Sequence, residues 1–173
     1  MTGAEFSEQA RSDRYTGIPY SKLDCQAFVE RVLIDCGVRK PDGSVYDWKG
    51  SNSMWRNALS WKGTLAECRE KFGSIPLGAW VFIVKNDGGE VDRGYHDNEG
   101  NATHVGIYCR EGETPVRDST RSSKRDGVGY RSLDSFNMVG LPKCLSYGNA
   151  QTGITREEAL KALETLTKYV KGV

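Results

Sequence analysis

In the stretch YSKLDCQAFVERVL, residues 20–33, apolar side chains fall at Phe28, Val29, Val32 and Leu33, and Cys36 follows. Spacings of three and four residues place them along one face of an α-helix, and such a face has to be buried against another element. Asp24 is suited to the N-cap, because its carboxylate accepts the unsatisfied amide hydrogens of a first turn. Gly37 is suited to end the helix. The pattern predicts a helix over residues 25–36, with Cys25 at its entrance.

The layer that buries this helix is legible downstream. AWVFIV (79–84) is a continuous apolar run of strand length. THVGIYC (103–109) predicts a second strand, PVRDS (115–119) a third, and GYRSLD and MVGLPKCLSY carry further strand material. A helix followed by a series of strands predicts an α+β domain built on an antiparallel sheet. Between them lie the loop-rich VRKPDGSVYDWKGSN and two short helices, SMWRNAL and TLAECREKF. Thr64 and Glu67 form a capping box for the second. Residues 5–14 read as a polar, weakly helical lead-in to the turn TGIPY. The tail GITREEALKALETLTKYVKG reads as a helix with a Thr155–Glu158 capping box. Leu160, Leu163, Leu166 and Val170 line one side, and Glu157–Lys161 and Glu164–Lys168 are well-oriented pairs. The expected organisation is one domain over 1–148 and a helical tail over 149–173.

Charge narrows the function classes. Among 173 residues, 24 Lys and Arg stand against 23 Asp and Glu, so no net field draws the chain to nucleic acid or to an anionic membrane. The basic run STRSSKRDGVGYR (119–131) reads either as a local anion patch or as a solvated loop; the interrupting Ser, Gly and Asp favour the loop. No apolar run approaches the roughly 20 residues needed to cross a bilayer. MTGAEFSEQARSDRY lacks a basic segment leading into an apolar one, so synthesis in the cytoplasm without a secretory signal is expected. Five cysteines (25, 36, 68, 109 and 144) without CxxC spacing argue for reduced thiols rather than a disulfide framework or a metal knuckle.

A thiol attacks only as the thiolate, which a helix N-terminus and a neighbouring imidazole both favour. Cys25 has the first by position, although Asp24 opposes it unless its carboxylate is committed to capping. The chain has two histidines. His104, expected at the start of its strand and therefore held yet reachable, is the better base; His96 lies in the polar loop DRGYHDNEGN. Asp118 in VRDST can orient the ring through its other nitrogen. Each residue also has a plainer role: Cys25 and His104 as packing residues, Asp118 as a surface acid. Cys36 reads as core, and Cys68, Cys109 and Cys144 as inert. The loop Asp87–Asn101, with Arg93, Tyr95 and His96, reads either as a groove wall contacting substrate carboxylates or as a surface hairpin. Trp48, Trp55 and Trp61 read as stacking walls or as core.

Three motifs taken together add a resemblance. GIPYSKLDCQAFVERVL, IPLGAWVFI and THVGIYC resemble, in order, the motifs of NlpC-type papain-like cysteine peptidases, over about residues 15–145. Ala79 stands where that family usually has Asp, and Asp118 where its third polar residue is often His. The resemblance implies a papain-like α+β fold with the nucleophile helix packed on a central antiparallel sheet. It implies a cysteine endopeptidase cleaving peptidoglycan stem peptides, commonly beside γ-D-glutamate, without cofactor or metal. By position it makes Cys25 the nucleophile, His104 the base and Asp118 the third residue, with Tyr20 lining the site. Asp24, Arg93, His96 and Trp55 complete the expected substrate contacts. An amidase acting on the neighbouring N-acetylmuramoyl-L-alanine bond, a protein-directed acyl transferase or deamidase, and a binding module without catalysis are the alternatives. The expected protein is a monomer that reaches the cell wall after release or delivery, encoded by a phage or mobile element.

Overall fold

The computed structural model describes residues 1–148 together with Leu160, Lys161, Leu163 and Thr167. Helix α1 spans Gly3–Ala10, α2 Cys25–Asp35, α3 Ser51–Asn57 and α4 Leu65–Phe72. Strands β1 (Leu59–Thr64), β2 (Trp80–Lys85), β3 (Asn101–Tyr108), β4 (Val116–Arg121), β5 (Asp126–Arg131) and β6 (Met138–Pro142) form one sheet in the order β1-β6-β2-β3-β4-β5. Every pairing is antiparallel. The architecture is the expected mixed α+β class.

Period-two alternation along the strands gives the sheet two apolar faces. Trp80, Phe82, Val105 and Ile107 pack with Phe28, Val29, Val32 and Leu33, the predicted stripe of α2. Val81, Val116, Val139 and Leu141 pack on the other side with Cys68 of α4 and with Ile75. The four stripe residues of α2 are completely buried, and burying each such side chain contributes roughly 1.5–3 kcal/mol. Cys36 is the C-cap of α2 and packs half-buried against that core. Gly37 has a left-handed φ of 73°, the conformation that lets the chain leave the helix.

Two elements differ from the sequence expectation. The polar lead-in is a full helix, α1, whose capping box of Thr2 and Glu5 starts it two residues early. Phe6 and Ala10 are completely buried, and a bridge from Thr2 to Ser146 fixes its start. LSWKGT, which the sequence reading makes the junction of two helices with Leu59 in the first and Thr64 in the second, is instead the strand β1, paired with β6. Helix α3 ends at Asn57. Helix α4 carries the predicted Thr64–Glu67 box. The tail's capping box and ion pairs lie outside the described residues; Leu160, Lys161, Leu163 and Thr167 have helical backbone and are exposed. Among the described residues, no helix is long and apolar enough to cross a membrane.

Candidate active site

Cys25 is the first residue of α2, and the cap that places it is the predicted one: the Ala27 amide donates to Asp24 Oδ1 at 2.8 Å. The Asp24 carboxylate is therefore engaged in capping, the condition that the sequence reading set for it. The Phe28 amide donates to the Asp24 carbonyl. Of the first-turn amides, those of Cys25 and Gln26 have no acceptor within the helix.

The segment before Cys25 is held by the hairpin of β4 and β5. Thr16 bridges Val128, the Tyr20 amide donates to Asp126 Oδ1 at 3.3 Å, and the buried Ser119 hydroxyl donates to the Leu23 carbonyl. Gly127, at φ +105°, runs so close to this segment that a Cβ there would lie 2.1 Å from the Ile18 carbonyl oxygen.

His104 lies inside β3 rather than at its start. Asn101 and Ala102 already pair with Lys85 and Val84, ahead of an irregularity in the β2–β3 register. Its side chain is 11 % exposed. Nε2 lies 2.6 Å from Asp118 Oδ2; the Cys25 side chain is close enough to act on the ring, and with Nε2 on the carboxylate the nitrogen left for it is Nδ1. Phe136 flanks the imidazole at 5.9 Å between ring centroids. The intervening Gly106 makes room: a Cβ there would lie 3.2 Å from Asp118 Cβ and 2.6 Å from Val116 Cγ1. Burial on its own favours the neutral ring, but the hydrogen bonds and charges of Asp118 and Cys25 outweigh it and raise the imidazole to about 9.

Asp118 is a fully buried carboxylate, not a surface acid. Oδ2 also accepts from Arg131 Nη1 at 3.3 Å, and Oδ1 from Arg125 Nη2. Burial pushes its carboxyl up, yet His104 and Arg125 prevail and hold it below the usual carboxylate range. Sequence reasoning missed both arginines, which belong to the run read as anion patch or solvated loop. Recognising that run as a hairpin would have set Arg125 and Arg131 beside Asp118.

Tyr20 reaches the same sulfur. Burial first, then the charge and hydrogen bond of Cys25, raise its phenol to about 12. The imidazole and the phenol are thus both within electrostatic reach of the thiol. The other four cysteines are free thiols, and burial pushes each of them up, Cys68 and Cys144 to about 11 and Cys109 to about 12.

The remaining expected contacts separate. Trp55 is 3 % exposed and packs on Phe82, with its indole NH on the Glu99 carbonyl at 3.1 Å; it belongs to the core and not to a groove wall. The loop 86–100 is fastened to α3 by Arg56, which pairs with Asp97 at 2.6 Å, donates to Gly100 O and lies over the Tyr95 ring. The loop is thus braced against α3. Arg93 lines a pocket of about 390 Å³ with Lys49, Ser51, Asp92, Tyr95 and Thr103, the last being the residue before His104. His96 is exposed in the loop and does not line that pocket. Among the described residues no group of three or more His, Cys, Asp or Glu is placed to hold a metal ion.

Comparison with protein-family models, curated proteins and solved structures finds no match. The functional reading rests on the geometry and on the motifs that form it.

Proposed function

We propose that the chain is a papain-like cysteine endopeptidase that hydrolyses peptidoglycan stem peptides, next to γ-D-glutamate. The observation that supports this reading most is the meeting of three groups from a helix start and two adjacent strands: the His104 imidazole lies 2.6 Å from the Asp118 carboxylate and within electrostatic reach of the Cys25 thiol. A thiol, an imidazole on it and a carboxylate on the imidazole's far nitrogen are the parts of a thiol acyl-transfer centre.

The Cys25 thiolate adds to the scissile carbonyl carbon. The oxyanion so formed meets the Cys25 and Gln26 amide hydrogens and the positive end of α2, with the Tyr20 hydroxyl as a further donor beside the sulfur. His104 Nδ1 delivers its proton to the leaving nitrogen as the C–N bond breaks, and an S-acyl enzyme remains. Nδ1 then accepts a proton from water, whose oxygen attacks the thioester. The C–S bond breaks, the acyl half leaves as a carboxylic acid and the thiolate–imidazolium pair returns. Asp118 remains ionised and keeps the ring in register. Arg93 and Lys49 give the neighbouring pocket cationic groups for substrate carboxylates.

Digestion of purified sacculi followed by mass spectrometry of the released muropeptides tests the reading. New termini beside γ-D-glutamate are expected, and Cys25→Ala should abolish them while leaving the melting temperature near wild type. Release of unsubstituted L-alanine amino termini would move the protein to the amidase class. Undiminished cleavage by Cys25→Ala would overturn the mechanism.

A further inference from the structure

A carboxylate that only orients a histidine needs no second cation, yet Asp118 has two guanidinium groups on it besides the imidazole. Arg125 leaves the turn between β4 and β5, donates Nη1 to the Tyr130 carbonyl at 2.9 Å and reaches Asp118 Oδ1 with Nη2. It passes over Gly129, the residue directly opposite Asp118 in the β4–β5 register. A Cβ on Gly129 would lie 2.6 Å from Arg125 Nη1, so the bare glycine forms the slot for the guanidinium. Arg125 Nε is buried without a partner: the side chain is oriented for its contacts through the terminal nitrogens at the cost of its own third donor. Arg131, at the end of β5, holds Oδ2 at 3.3 Å, the oxygen that His104 uses, and lies over Phe136 at 5.6 Å.

We propose that Arg125 and Arg131 are positioning residues that clamp Asp118 in register with His104 and divide its charge, so that the carboxylate orients the imidazole without trapping its proton. This rests on the reading of Cys25 and His104 as a nucleophile–base pair. A buried carboxylate alone at 2.6 Å would hold an imidazolium so firmly that proton delivery to a leaving group becomes unfavourable; two cations opposite it offset that pull. The other titratable group acting on the ring is Cys25, while Tyr20 interacts with that thiol, with Asp24 and Arg121 acting on Tyr20.

Histidine NMR tests the clamp. The chain has two histidines, so in a His96→Gln background the His104 ring gives the only imidazole signal, and its titration can be followed without substrate. Removing a cation favours the protonated ring, so Arg125→Gln and Arg131→Gln should each raise the His104 midpoint by roughly half a unit to one unit. Arg125→Lys, which keeps the charge, should restore most of the wild-type value. If Arg125→Gln does not fold, Arg131→Gln, on the more exposed arginine, supplies the same reading. An unchanged or lowered midpoint in a folded glutamine variant would overturn the clamp. A raised midpoint in a protein that leaves sacculi intact would uphold the clamp and reject only the substrate assignment.

Discussion

At the scale of single residues, removing the Asp118 carboxylate would leave His104, Arg125 and Arg131 facing one another around a buried site. Breaking a buried ion pair from one side typically costs about 3–5 kcal/mol, so Asp118→Ala should lower the denaturation midpoint severely. Asp118→Asn keeps the shape and removes the charge, and its effect belongs to pH. The His104 ring is raised from its usual 6.5 to about 9. A raised imidazole contributes its stabilisation fully below the usual value and loses it as pH rises through about 9. The alkaline limb of activity should lie there in the wild type and move down toward 6.5 in Asp118→Asn, as kcat/KM against pH would report. That Cys25, His104 and Asp118 come together was legible from the motifs that carry the resemblance, although Asp118 read alone as a surface acid and is instead buried. Arg125 and Arg131 were not, because composition says that a run is basic without saying what each guanidinium faces. Trp55 failed for the converse reason: an aromatic residue suits a groove wall and a core equally well until burial decides.

At the scale of elements, the hairpin of β4 and β5 does two tasks. One strand supplies Asp118, and the pair grips the segment that delivers Cys25. Ser119 joins the two, since its hydroxyl donates to the Leu23 carbonyl, two residues before the nucleophile. Ser119→Ala leaves that carbonyl without its donor, a loss of about 1–3 kcal/mol when buried. Because the released backbone leads directly into Cys25, kcat should fall by more than the stability loss explains; a stability loss with unchanged kcat would refute this coupling. Helix α2 and strands β2 and β3 were readable because their apolar periods are long and continuous. Strand β1 was not: LSWKGT mixes Gly, Lys and Ser at an edge position, and its strand character comes from pairing with β6. Helix α1 was legible only as a weakly helical lead-in, because its markers are Phe6, Ala10 and a capping box in an otherwise polar stretch.

At the scale of the whole molecule, the sheet order brings together what the chain keeps apart. Strand β6, last in sequence, inserts between β1 and β2, a non-local pairing that no local pattern announces. The same long-range assembly puts the α2 entrance against β3, and the account depends on that meeting of thiol and imidazole. Its most direct test is the alkylation rate of Cys25 by iodoacetamide at neutral pH, followed by peptide mass spectrometry, in the wild type and in His104→Ala. The account predicts that Cys25 reacts ahead of the other four cysteines and that its rate falls by about tenfold or more without the imidazole. A rate unchanged by His104→Ala, in a variant that retains its fold, would contradict it.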